Sequence, residues 1–209
     1  MKLDALRGEW ALVTGASAGI GREYCVQLAA KGMNLIAVAR REERLRSLAA
    51  ELTAAFDGIG MLEIVQDLSE RDAAAKVLQR VAAEGIRIRL LVNNAAFGRW
   101  GRFEDTARPL YGEMLETNIV ALVELTHAFL PDLSARTPSA IVTVASAAPY
   151  HPVPSIAASA ALTTSLMIFL SARYGVRRYS HVVVPTLIPG RSAMPLDPDA
   201  SRPPQRVRA

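Results

Sequence analysis

Thr14-Gly15-Ala16-Ser17-Ala18-Gly19-Ile20-Gly21 decides the reading of this chain, because of what lies on either side of it. The residues before it, Trp10–Thr14, form a short apolar run suited to a strand. Those after it, Gly19–Lys31, have the composition of a helix that Gly32 ends. Glycines at a strand-to-helix turn let the main chain bend tightly and approach a ligand closely. The first N–H groups of the helix, which have no partner within it, then face that ligand. A diphosphate fits such a turn, so Gly15, Ser17, Ala18, Gly19, Ile20 and Gly21 are the first candidate binding residues. A glycine turn that holds nothing looks the same locally, and only its surroundings separate the two.

Outward from this turn, short β-rich runs alternate with longer helical ones. Strands are expected at Trp10–Thr14, Asn34–Ala39, Met61–Val65, Ile88–Asn93, Ala140–Ser146 and His181–Leu187. Helices are expected at Gly19–Lys31, Glu42–Phe56, Glu70–Glu84, Pro109–Ala135 and Ser155–Tyr174, with Ser69 as an N-cap and Gly32, Gly85 and Gly175 just past helix ends. The strands are continuously apolar, as befits strands covered on both faces. The pattern predicts an α/β protein with a doubly wound parallel sheet, a three-layer Rossmann fold of about six strands. At 209 residues, 51% of them hydrophobic, the chain can bury one core. No linker or repeat divides it. One domain is expected over residues 1–190, followed by a Pro- and Arg-rich tail, 191–209, whose composition favours disorder.

Charge and cysteine usage narrow the function classes. Twenty-four Lys and Arg against 20 Asp and Glu leave a formal charge of +4, without a basic stripe interleaved with aromatics, so nucleic acid is not an expected partner. Cys25 is the single cysteine, so no intramolecular disulfide can form and a reducing, cytoplasmic setting is expected. Residues 1–10 are charged and lack a signal-like apolar segment. No apolar run reaches the roughly 18 residues of a membrane span, so no membrane association is expected.

The second expected strand runs into Arg40-Arg41, where a domain selecting NAD would place a carboxylate on the ribose hydroxyls. A guanidinium there offers a fork of charged donors to a 2′-phosphate instead. NADP(H) is therefore the expected cofactor, with Arg40 as its main contact. The alternative is that Arg40, Arg41 and Arg44 form only a solvated face opening the next helix.

Taken together, Thr14-Gly15-x-x-x-Gly19-x-Gly21, Gln66-Asp67-Leu68 and Asn93-Asn94-Ala95-Ala96 resemble the motif set of the short-chain dehydrogenases/reductases, in that family's order, over residues from about Trp10 to Gly190. The resemblance implies hydride transfer between NADP(H) and a small carbonyl or alcohol. It implies that Asp67 and Leu68 face the adenine and that Asn94, Ala95 and Ala96 pass under the inner ribose, although the family usually has Gly at Ala96. It also implies that Asn118 supports a proton relay, that Ser146 hydrogen-bonds the substrate oxygen, and that Pro189-Gly190 follow the sixth strand at the cofactor. The plainer readings stay open: Asn118 as an ordinary polar helix residue, Ser146 as a turn residue.

One departure is large. In this family a Tyr-x-x-x-Lys pair exchanges the proton, the ammonium lowering the phenol's pKa. Aligned through Ser146-Ala147-Ala148 and Pro152-Val153-Pro154, the present chain has Ser159 at the tyrosine and Thr163 at the lysine, a degenerate active site. No lysine follows Lys76. Tyr150 is the nearby phenol, and Tyr174 and Arg178 share the spacing but fall late. Loss of a general acid costs on the order of 10²- to 10⁴-fold, so efficient turnover is not expected. Relatives usually continue beyond Gly190 with a substrate lid and a further strand, so an open pocket and an uncovered edge at the sixth strand are also expected. Three readings follow: a slow oxidoreductase, a non-catalytic NADP(H)-binding sensor or partner protein, and a truncated or frameshifted remnant. The helices at Pro109–Ala135 and Ser155–Tyr174 correspond to those through which relatives pair, which implies a homo-oligomer, although burial within one chain explains the apolar stripe of the second equally well.

Overall fold

Seven short parallel strands form one sheet in the computed structural model, which describes residues 3–99, 103–144, 182–183 and 186–187. They are β1 (Trp10–Thr14), β2 (Asn34–Ala39), β3 (Met61–Val65), β4 (Ile88–Asn93), β5 (Ser139–Val144), β6 (Val182–Val183) and β7 (Thr186–Leu187). Their order is β3-β2-β1-β4-β5-β6, and β7 also pairs with β5. β6 and β7 lie along β5 in one unbroken register, Ser139 opposite Val182 and Val144 opposite Leu187, so they are two runs of the expected sixth strand. The sheet is the doubly wound parallel sheet read from the alternation.

The helices are α1 (Gly19–Ala30), α2 (Glu42–Ala55), α3 (Ala73–Ala83), α4 (Arg108–Leu115) and α5 (Ala121–Ala135). Successive strand residues point to opposite faces and so feed two cores. Val13, Leu35, Ala37, Leu90 and Val92 pack with Cys25 and Leu28 of α1 and with Leu45, Leu48 and Leu52 of α2. Leu12, Ile36, Val38, Leu91 and Ile141 pack on the other face with Val77 and Val81 of α3 and with Leu125, Phe129 and Leu133 of α5. Every residue of β4 is buried, whereas β3, at the sheet edge, leaves Val65 half exposed. The winding reverses between β1 and β4. Beyond their carboxyl ends opens the crevice in which sheets of this type hold ligands.

Several boundaries differ from the expected ones, α1, α2 and α3 each ending one residue early and α4 starting one residue early. α3 starts at Ala73 rather than Glu70, and Ser69 is not its N-cap: its N–H and hydroxyl both donate to Asp67 Oδ1, at 2.9 and 2.8 Å, closing a turn ahead of the helix. The helix expected in one piece over Pro109–Ala135 is interrupted by a π-helical turn, Glu116–Val120, between α4 and α5. β5 begins at Ser139 rather than Ala140, and its expected last residues, 145 and 146, lie outside the described ones. The helix expected at Ser155–Tyr174, Gly175 and the tail 191–209 lie outside the described residues.

Candidate functional site

Two turns at the carboxyl ends of β1 and β4 are stitched together by Thr14 and Asn94. Thr14 Oγ1 accepts the N–H groups of Asn94 and Ala95 at 2.9 and 3.0 Å and donates to Val92 O at 3.3 Å. In return Asn94 Nδ2 donates to Thr14 O at 2.9 Å and Gly15 O at 3.4 Å. This close approach explains two of the glycines. A Cβ on Gly15, whose φ is +67°, would stand 2.8 Å from Asn94 Nδ2, and one on Gly21 would stand 2.3 Å from Gly15 O and 2.4 Å from Asn94 Nδ2. Neither position has room for a side chain. Gly19, with φ +55°, opens α1, and no side chain caps that helix at Ala18. Its first N–H groups therefore lie where an anion could accept from them.

The two arginines beyond β2 go to different partners. Arg41 Nη2 donates to Ser17 Oγ at 3.4 Å and so leans on the glycine loop, while Arg40 Nη1 stands 3.6 Å from Asp67 Oδ2 past the end of β3. Arg40 was singled out from the sequence, and Arg41 only as part of a charged face. Its position immediately before α2 was the available signal. Burial pushes the Asp67 carboxyl upward, but hydrogen bonds from Ser69 and the Arg40 guanidinium outweigh it and hold the group below the usual carboxylate range. Asp67 is thus an anion at neutral pH. Leu68 beside it is buried and, with Thr14, Asn93, Ala95, Thr117, Leu122 and Leu125, lines a recess too narrow for a water molecule.

Asn118 sits within the π-helical turn, a local unwinding that often marks functional positions in helices. Its amide clamps one residue from both sides: Oδ1 accepts the Phe97 N–H at 3.0 Å, and Nδ2 donates to Phe97 O at 2.9 Å. The loop that continues Asn94-Ala95-Ala96 is therefore tied to the long helix. A second tie, from Asn93 Nδ2 to Thr126 Oγ1 at 3.0 Å, anchors β4 to α5. Thr14, Phe97 and Thr126 were not legible as site residues, since each works through a partner distant in sequence. Gly15, Ser17, Ala18, Gly19, Ile20, Gly21, Arg40, Asp67, Leu68, Asn94, Ala95, Ala96 and Asn118 all lie at the carboxyl side of the sheet or on the turns beyond it. Ser146, Tyr150, Ser159, Thr163, Pro189 and Gly190 lie outside the described residues.

The sequence profile described as short chain dehydrogenase matches residues 9–194. The chain belongs to the short-chain dehydrogenase family. Among its relatives, this short-chain dehydrogenase is 37% identical over 151 residues to a short chain dehydrogenase of Pseudocercospora fijiensis, covering 71% of this chain and 48% of that one. It spans about half the length of the curated relatives it matches. A metagenomic short-chain oxidoreductase solved in complex with NADP superposes with a TM-score of 0.79 at 33% identity, over 90% of this chain and 85% of that one. L-sorbose reductase from Gluconobacter frateurii, solved with NADPH and L-sorbose, gives 0.80 at 27% identity, over 88% and 70%. Among the described residues, no helix of this family member is long and apolar enough to cross a membrane.

Proposed function

We propose that this short-chain dehydrogenase binds NADP(H) and transfers hydride between it and a small carbonyl or alcohol, slowly, because Ser159 and Thr163 replace the family's tyrosine and lysine. The observation that carries the reading is the pair of arginines beyond β2, one leaning on the glycine loop and one on the Asp67 turn, where a domain selecting NAD would place an acid. The cradle fits a dinucleotide: two glycine positions are too close to neighbouring backbone and amide atoms for any side chain, and the helix behind them has no side-chain cap. On this reading Gly15 to Gly21 hold the diphosphate, Arg40 and Arg41 the 2′-phosphate, Asp67 and Leu68 the adenine, and Asn94 to Ala96 the inner ribose. When bound, the nicotinamide supplies or takes the hydride. Ser146 would orient the substrate oxygen, and Asn118 would hold the loop under the cofactor through Phe97. Pro189 and Gly190 would border the nicotinamide. Pairing of two chains along the α4–α5 helix, where Leu115 is half exposed, and residence in a reducing cytoplasm, where the buried Cys25 stays a thiol, belong to the same proposal.

A second reading is favoured by the same two substitutions: a protein that binds NADP(H) without turnover, as a sensor or partner. Restoration separates the two. Ser159→Tyr with Thr163→Lys returns a phenol and an ammonium at the family's four-residue spacing, and on the first reading raises NADPH oxidation with a panel of ketones by on the order of 10²- to 10⁴-fold. A folded double variant that binds NADPH but shows no gain with any carbonyl favours the second.

A further inference from the structure

Arg40 and Asp67 follow neighbouring strands, and their side chains meet, Nη1 to Oδ2, at 3.6 Å. The two partners are held very differently. Asp67 is anchored, because its other oxygen, Oδ1, accepts both the N–H and the hydroxyl of Ser69 at 2.9 and 2.8 Å. Arg40 has a side chain 62% exposed and reaches outward. Its neighbour Arg41 leans the other way, onto Ser17. A fixed carboxylate therefore stands beside the guanidinium that, on the reading above, receives the 2′-phosphate.

We propose that Asp67 is a specificity-determining residue: its carboxylate competes with the 2′-phosphate for Arg40 and sets the preference for NADP(H) over NAD(H) below what Arg40 would otherwise give. The inference rests on the assignment of Arg40 to the 2′-phosphate. An anion that approaches Arg40 has to share or displace a carboxylate that Ser69 keeps in place, whereas a ligand without the 2′-phosphate leaves the pair undisturbed. Exposed pairs of this kind are weak, which sets the effect at about two- to fivefold in affinity.

The test is calorimetric titration of the full chain with adenosine 2′,5′-bisphosphate and with 5′-AMP, at one low ionic strength, for the wild type and for Asp67→Asn, Arg40→Ala and the double variant. Asparagine keeps an oxygen to accept from Ser69 and removes the charge. The ratio of the two affinities is expected to rise about two- to fivefold in Asp67→Asn and not to rise when Arg40 is already alanine. An unchanged or lower ratio in Asp67→Asn overturns the proposal, as does a rise that persists undiminished without Arg40. A wild type with no preference for the bisphosphate overturns the 2′-phosphate assignment itself, a separate and recognisable failure. Should Asp67→Asn fail to fold, Asp67→Ser offers a neutral hydroxyl to the same turn and is held to the same outcomes.

Discussion

Adding one methyl group at Gly21 should cost stability, although the position is helical and alanine favours helix. Gly21 lies in the first turn of α1, where replacing glycine by alanine ordinarily gains about 0.5–1 kcal/mol. Here the new Cβ would stand 2.3 Å from Gly15 O and 2.4 Å from Asn94 Nδ2. A backbone carbonyl cannot swing aside as a flexible side chain can, so the helix end and the β1 turn must separate. Overpacking of this kind costs about 1–3 kcal/mol. Displacing Asn94 also weakens its bonds to Thr14 O and Gly15 O, at roughly 1 kcal/mol each. The net loss is about 2–4 kcal/mol, which for a chain of this size lowers the thermal midpoint by about 5–15 °C. Gly112, in α4, is the control: a Cβ there meets nothing within 4 Å, so Gly112→Ala should raise the midpoint slightly. Thermal unfolding by far-ultraviolet circular dichroism reads both. A Gly21→Ala protein that melts with or above the wild type would refute the claim that this glycine exists for close approach.

Arg40→Asp should abolish any preference for NADPH over NADH in equilibrium binding, since it replaces a donor fork with an anion at the 2′-phosphate. Asn118→Ala removes both bonds to Phe97 and should destabilise by about 1–3 kcal/mol, with faster hydrogen exchange at the Phe97 amide. Its control, Asn118→Gln, should not restore protection, because the clamp needs the shorter side chain. Asp67 has a carboxyl held below its ordinary range, so its contribution is present above the unfolded-state value and is lost as pH falls through the folded one. Asp67→Asn should therefore be less stable than wild type at neutral pH, by under about 1 kcal/mol for so exposed a pair, and equal to it in strong acid; denaturant titrations at both pH values check this. Burial pushes the Cys25 thiol up to about 12, so it should resist iodoacetamide at pH 8 until the protein is unfolded, as mass spectrometry can show.

β1 to β4 were legible residue for residue because each is a short apolar run hemmed by turn residues, and β2 and β4 are covered on both faces. What the sequence concealed lies where distant residues decide a local choice. Ser69 reads as a helix cap, yet Asp67 two residues earlier offers its hydroxyl and N–H a nearer acceptor, and the helix starts later. The Pro109–Ala135 stretch reads from its sequence as one helix. Its π-helical turn becomes visible only with Phe97, 21 residues before Asn118, gripped by the Asn118 amide. Gly15 and Gly21 were read as a cradle for a ligand, and they also make room for Asn94, some 80 residues away, which no local pattern announces. Arg40 was proposed from its place after β2, while the partner of Arg41 on the glycine loop needed the fold.

The most direct test of the central claim is an equilibrium titration of the full chain with NADPH and with NADH, followed by energy transfer from tryptophan to the bound nicotinamide. Saturable binding with tighter affinity for NADPH is the predicted result. Equal affinity for the two cofactors would contradict the role given to the arginines beyond β2, and no binding of either by the folded protein would contradict the dinucleotide site as a whole.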